Sequence, residues 1–142
     1  MDENQIKLFS SKKSDNWQTP PEILDKLRQE FGELYDPCPL HPTEDGLLVD
    51  WKEITFVNPP YSQVKKWLKK CHEELKKGKC KVIIFLTFVN TDTSWFWNYV
   101  IEKAEIRFIK GRLKFLDETG LNKKNSAMRP SMLCIFRGAE TV

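Results

Sequence analysis

Five consecutive apolar residues, Val82-Ile83-Ile84-Phe85-Leu86, lie inside the most apolar stretch of the chain, Cys80 to Val89. A strand that alternates polar and apolar residues can leave one face in water, but a strand apolar at every position cannot. Such a run belongs in the middle of a parallel sheet with helices over both faces. The rest of the chain therefore has to supply helical segments on either side of it.

It does. Thr19 is placed to N-cap a helix, Pro20 suits the first position and Glu22 completes a capping box. Leu24, Leu27 and Phe31 share one face of that helix, and Gly32 ends it. Glu33–Asp36 reads as a short strand broken by Pro37 and Pro39, and Cys38–Asp45 as loop. Leu47–Trp51 and Ile54–Val57 read as two more strands. Ser62 caps a second helix with Val64, Trp67, Leu68, Cys71 and Leu75 inward; Lys65, Lys66, Lys69, Lys70, Lys76 and Lys77 cover its other side, and Gly78 closes it.

After the central run, Thr91, Asp92 or Thr93 caps a helix carrying Trp95, Phe96, Tyr99, Val100 and Ile101. Ile106–Ile109, Leu113–Phe115 and Ser131–Phe136 are the remaining strands. Alternating helices and strands predict an α/β domain over residues 16–142, its sheet mostly parallel with an antiparallel end. Residues 1–15 are polar and predict a flexible arm; Asp117–Met128 predicts a mobile loop with Lys123 and Lys124 at its tip.

At 142 residues the chain has room for one domain, and a net charge of +3 permits nucleic-acid binding without requiring it. No apolar stretch approaches the roughly 20 residues that span a bilayer, and the polar start from Met1 is no signal peptide. Cys38, Cys71, Cys80 and Cys134 lack Cys-x-x-Cys spacing, so they predict reduced thiols in a cytoplasmic protein. Cys38 and His41 are spaced like half a metal site with no second half, and no metal is expected. His41 and His72 read as exposed bystanders.

Asn58-Pro59-Pro60-Tyr61 follows the apolar strand Ile54–Val57. Two prolines remove two backbone donors and exclude the α region from the residue before each, giving a stiff extended turn. An amide and a ring are thereby held at fixed relative positions. An exocyclic amino group is a poor nucleophile because its lone pair is delocalised into the base. The side-chain oxygen of Asn58 and the carbonyl of Pro59 are two adjacent acceptors that favour the tetrahedral nitrogen, while Tyr61 can stack on a base that has left the duplex. Positioning and fixed dipoles would do most of the work. The structural alternative is a strand ending in an Asn-Pro turn with a tyrosine lid on the core.

The wider pattern resembles the phage-type, Dam-like DNA N-6-adenine methyltransferases. It comprises Asp15-Asn16-Trp17-Gln18-Thr19-Pro20-Pro21, Tyr35-Asp36-Pro37-Cys38, Trp51, Phe56–Ser62, Trp67, Thr91-Asp92-Thr93 with Trp95-Phe96, Phe108–Phe115 and Pro130-Ser131, about residues 15 to 137. The resemblance implies a reduced Rossmann-like methyltransferase sheet with helices on both faces. It implies S-adenosylmethionine-dependent methyl transfer to the exocyclic amine of adenine in DNA, with Asn58, Pro59, Pro60 and Tyr61 catalytic. Trp17, Thr19, Pro20, Asp36, Pro37, Cys38 and Asp50 match cofactor-binding positions; Trp17 also reads as core packing and Asp50 as a strand-end cap.

DNA contacts are expected from Lys65, Lys66, Lys69 and Lys70, from Lys110, Arg112 and Lys114, and from Lys123 and Lys124. The helix lysines also read as solvated surface. One departure stands out: Asp36-Pro37-Cys38-Pro39 has no glycine, and only about twenty residues separate it from the catalytic turn. The cofactor pocket is then reduced or completed by a second copy in a homodimer. The alternatives are a non-catalytic DNA-binding protein with a degenerate methyltransferase fold, and methylation of an RNA adenine or a protein glutamine amide.

Overall fold

The computed structural model describes residues 18–39, 42–116 and 129–139. The expected N-terminal arm, Trp17, His41 and the loop bearing Lys123 and Lys124 lie outside the described residues. Helix α1 spans Pro21–Phe31 and strand β1 Ile54–Val57. A 3-10 turn at Tyr61–Gln63 leads into helix α2, Val64–Lys77, which Gly78 closes. Strand β2 is Val82–Phe88, followed by a short π-helical turn at Phe96–Val100. Strands β3, Glu105–Phe108, and β4, Ser131–Arg137, complete the sheet.

The central run forms β2 and is buried on both sides. Val57, Ile83, Phe85, Met132, Cys134 and Phe136 pack under α2 and the π-helical turn. Phe56, Ile84, Leu86, Leu133 and Ile135 pack under Leu27 of α1 and Phe115. Alternate residues of one strand thus feed two separate cores. Each large side chain so buried contributes about 1.5–3 kcal/mol.

The sheet order is β1-β2-β4-β3. β1 pairs with β2 in parallel, Val57 beside Phe85. β4 is antiparallel to both β2 and β3. The mostly parallel sheet with an antiparallel end is therefore corrected: one neighbouring pair is parallel, and the reversed strand lies inside the sheet. β1, β2 and β3 all run the same way, so their carboxyl ends share one edge, where Phe88 is level with Ser131.

Other local expectations give way to tertiary contacts. Leu47–Trp51 is a turn and not a strand, with Leu48 exposed and Trp51 buried against Trp67, ring centroids 6.1 Å apart. Among the described residues Leu113–Phe115 joins no strand, while Leu116 bridges to Gln18. Glu33–Asp36 contributes a single bridge, Tyr35 to Thr55. Thr93 does cap the turn before Phe96, accepting its N–H at 3.3 Å, whereas Gln63 and not Ser62 is the N-cap of α2. His72 is no bystander: its Nε2 meets the Tyr99 carbonyl at 2.8 Å and its ring abuts Phe136.

Candidate active site

The chain leaves the sheet at Asn58, immediately after the buried end of β1. Pro59 and Pro60 are both buried, and Pro60 is extended at φ −55°, ψ 125°. Gln63 N–H donates to the Pro60 carbonyl at 2.8 Å and starts the 3-10 turn. The Pro59 carbonyl has no backbone N–H partner among the described residues.

The Asn58 amide is fixed from outside its own turn. Its Nδ2 donates to Thr19 Oγ1 at 3.1 Å, which directs Oδ1 to the opposite side of the group. Thr19 is buried, so this bond forms away from bulk water. Its backbone is held in turn by Gln18 and Leu116, which exchange N–H···O bonds of 3.3 and 3.1 Å. The expected capping box is thereby corrected: Pro20 is the N-cap of α1 with no side-chain cap bond, and the Thr19 hydroxyl serves Asn58.

Tyr61 is 50% exposed, and its ring meets Phe88 edge-on at 5.4 Å. Phe88 meets Phe115 the same way at 6.4 Å. The three rings run from the Leu116 bridge to the Asn58 turn and fix Tyr61 while leaving half of it in solvent.

A second loop leaves the sheet at the same edge. Tyr35 N–H donates to the Ile54 carbonyl at 2.9 Å, and Phe56 N–H to the Tyr35 carbonyl at 2.8 Å, so Asp36 emerges beside the end of β1. Asp36 is solvent-exposed by area, yet protein packs closely enough around its carboxyl to desolvate it. Desolvation there pushes its carboxyl up to about 6, against the Cys38 N–H that donates to Oδ1 at 2.8 Å.

The next loop braces this one from behind. A Cβ on Gly46 would lie 1.9 Å from the Pro37 carbonyl oxygen, so only glycine allows this approach. The Gly46 carbonyl accepts from Trp51 Nε1 at 2.8 Å, and Trp51 N–H donates to Glu74. Burial pulls the Glu74 carboxyl upward, but Lys77 and the Trp51 N–H outweigh it and hold it below the ordinary range.

Three stretches far apart in sequence, 18–20, 35–38 and 58–61, thus converge at one sheet edge. The family model described as DNA N-6-adenine-methyltransferase (Dam) matches residues 7–141, nearly the whole chain. The chain belongs to the DNA N-6-adenine-methyltransferase family. No curated protein and no solved structure matches it.

Among the residues expected to act in a member of this family, Asn58–Tyr61, Thr19, Pro20 and Asp36–Cys38 are brought together. Asp50 is not. It pairs with Lys77 at 2.9 Å and Lys79 at 3.7 Å, at the far end of α2, roughly 20 Å along the helix from Val64. Lys65, Lys66, Lys69, Lys110, Arg112 and Lys114 are exposed. Lys70 is not available to DNA: it is 8% exposed, 3.4 Å from Glu74 and over the Trp51 ring.

Gly111, with φ +75°, makes the bend between Lys110 and Arg112 in the left-handed region that favours glycine. Burial pushes the Cys71 and Cys134 thiols up, the latter to about 12, so neither offers a thiolate nucleophile. Among the described residues no helix is long and apolar enough to cross a membrane, and no group of three or more His, Cys, Asp or Glu could hold a metal. The expected homodimer finds no support in these observations. Phe88 and Gly46 had no sequence motif to mark them; their signals are an aromatic at the end of the apolar run and a glycine inside a turn.

Proposed function

We propose that this family member transfers a methyl group from S-adenosylmethionine to the exocyclic amine of adenine in DNA. The observation that carries the reading is the Asn58 amide, pinned by Thr19 at 3.1 Å, beside the half-exposed Tyr61 ring. An adenine extruded from the duplex stacks on Tyr61, a contact worth about 1–3 kcal/mol. Its two amino hydrogens then face the Asn58 Oδ1 and Pro59 carbonyl oxygens. Taking up a methyl group whose donor leaves as a neutral thioether would put positive charge on that nitrogen, and these two fixed dipoles would stabilise it. The surplus proton leaves to water.

The donor set fits a cationic cofactor. Asp36 presents a carboxylate beside the catalytic turn, and Gln63 Oε1, on the next turn of chain, is a buried acceptor without a partner among the described residues. Asp36, Pro37 and Cys38 would hold the methionine moiety, the ammonium against the Asp36 carboxylate. When bound, S-adenosylmethionine supplies a methyl carbon activated by its sulfonium. Gly46 takes over part of what a glycine-rich loop does in larger enzymes, letting two backbones touch behind the pocket.

Lys65 and Lys66 lie in the first turn of α2, which contains no acid, and Lys110, Arg112 and Lys114 are exposed on the segment whose Ile109 and Leu113 pack in the other core. Lysines at a helix start oppose the macrodipole and therefore favour a bound anion such as a DNA phosphate. Incubation with label in the donor methyl and adenine-containing DNA should label the DNA, and Asn58→Ala should abolish it. Label found only in cytosine, RNA or protein would overturn the substrate. No calorimetric binding of S-adenosylmethionine, with or without DNA, would leave a non-catalytic DNA-binding protein.

A further inference from the structure

Trp97 is 60% exposed, although an indole is among the most favourable side chains to bury. A single exposed apolar residue is ordinary; two further features set this one apart. Its ring is fixed in place: Nε1 donates to the Thr91 carbonyl at 2.7 Å, and the ring packs edge-on at 5.9 Å against Phe96, which is buried in the core. The ordering of an exposed indole has thus already happened in the free protein. Its anchor, Thr91, lies in the turn that follows β2, at the sheet edge that carries Asn58 and Asp36.

The residue before that anchor holds a cation. With the Asn90 amide turned so that its nitrogen donates to the Val89 carbonyl at 3.1 Å, its oxygen accepts from Arg129 Nη1 at 3.2 Å. Arg129 is exposed, and Val89 N–H donates to the next carbonyl, Pro130, at 3.0 Å. Ile109 N–H bonds to the Ser131 carbonyl at 3.1 Å, which sets exposed Lys110 beside the same strand start. Asn90 and Thr91, adjacent in one turn, thus bond to a guanidinium and to an immobilised aromatic ring respectively. Exposed Asp92 in the same turn opposes a phosphate.

We infer that this turn is a second contact with duplex DNA: Trp97 stacks on a base adjoining the extruded adenine, and Arg129 takes the phosphate beside it. The partner follows from the chemistry, because a planar indole and a cation anchored on adjacent residues of one turn match a base and its own phosphate. The inference rests on DNA being the substrate but not on which atom is methylated. It also answers a mechanical need, since a base step emptied by extrusion is stabilised by an aromatic surface set against its neighbour.

The test is fluorescence anisotropy with a labelled adenine-containing duplex of about 20 base pairs, across a salt series, beside a methyl-transfer assay. Trp97→Ala should weaken binding about tenfold, and Trp97→Tyr should retain most of it. Arg129→Ala should lower the slope of log K against log salt by about one. Asp92→Asn should tighten binding. A Trp97→Ala protein with wild-type melting and wild-type DNA affinity overturns the inference, whatever the transfer assay shows. Wild type binding DNA without transferring methyl sinks the catalytic reading, yet leaves the loss in Trp97→Ala as support for this contact. No DNA binding by wild type overturns both.

Discussion

Thr19 and Asn58, 39 positions apart, are joined by a 3.1 Å bond from the amide nitrogen to the threonine oxygen. An asparagine amide can turn end for end, and only one orientation presents an acceptor to an amino group. In the observed orientation the bond to Thr19 holds the nitrogen end and leaves the oxygen on the other side. Replacing it with valine keeps the shape and removes the acceptor, leaving Nδ2 unpartnered on that side. A bond of this kind is worth about 1–2 kcal/mol, so kcat should fall by roughly 5- to 30-fold. Thr19→Ser should recover most of the loss. Single-turnover kinetics on the three proteins would check this, and an unchanged rate in Thr19→Val would show that the bond does not orient the catalytic amide.

Gly46 supports the opposite side of the site. An alanine there would place Cβ 1.9 Å from the Pro37 oxygen and 2.8 Å from the Trp67 ring, so one backbone must move. We expect Gly46→Ala to destabilise the fold by roughly 3 kcal/mol, near 10 °C in melting temperature, and to weaken cofactor binding. Gly111→Ala meets nothing within 4 Å and faces only its positive φ, which should cost about 1 kcal/mol. Urea melts of both would rank them; equal losses would contradict the close-contact account.

The parts of this architecture that were legible in the chain are those written into neighbouring residues. Val82–Leu86 had to be covered on both sides, and Ile83 and Ile84 do face different cores. Asn58–Tyr61 announced a stiff turn at a strand end. What could not be read depends on partners distant in sequence. Thr19 and Glu22 have the spacing of a capping box, yet the hydroxyl is claimed by Asn58 from across the fold. Lys70 belongs to the solvent face by helical periodicity, but Trp51 and Glu74 close over it. The insertion of β4 between β2 and β3 reverses one strand, and an apolar pattern is the same read in either direction.

Lys65 and Lys66 should affect stability and binding in opposite senses. Their charges oppose the dipole at the start of α2, where no acid offsets them. Each change to glutamate should stabilise the free protein by about 0.3–1 kcal/mol, up to about 3 °C, and weaken DNA binding with a shallower salt dependence. Thermal melts and anisotropy on the same samples would test the pair. Loss of DNA affinity without a rise in melting temperature would argue that the lysines have other partners in the free protein.

Asp36 ties cofactor binding to pH. Its carboxyl titrates near 6 in the folded chain against an ordinary value of 3.8. Between those values the folded state holds a proton that the unfolded state has released. This group therefore stabilises the fold least at pH 7 and increasingly as pH falls towards 4. An ammonium docked on Asp36 needs the ionised form, so cofactor affinity should run the other way. It should be flat above about pH 7, drop as pH passes through 6, and at pH 5 be roughly a tenth of its plateau. Asp36→Asn should bind weakly at every pH and lose both dependences. Calorimetric titrations with S-adenosylmethionine from pH 5 to 8, on both proteins, would decide. Parallel profiles would mean that the cofactor's cation lies elsewhere.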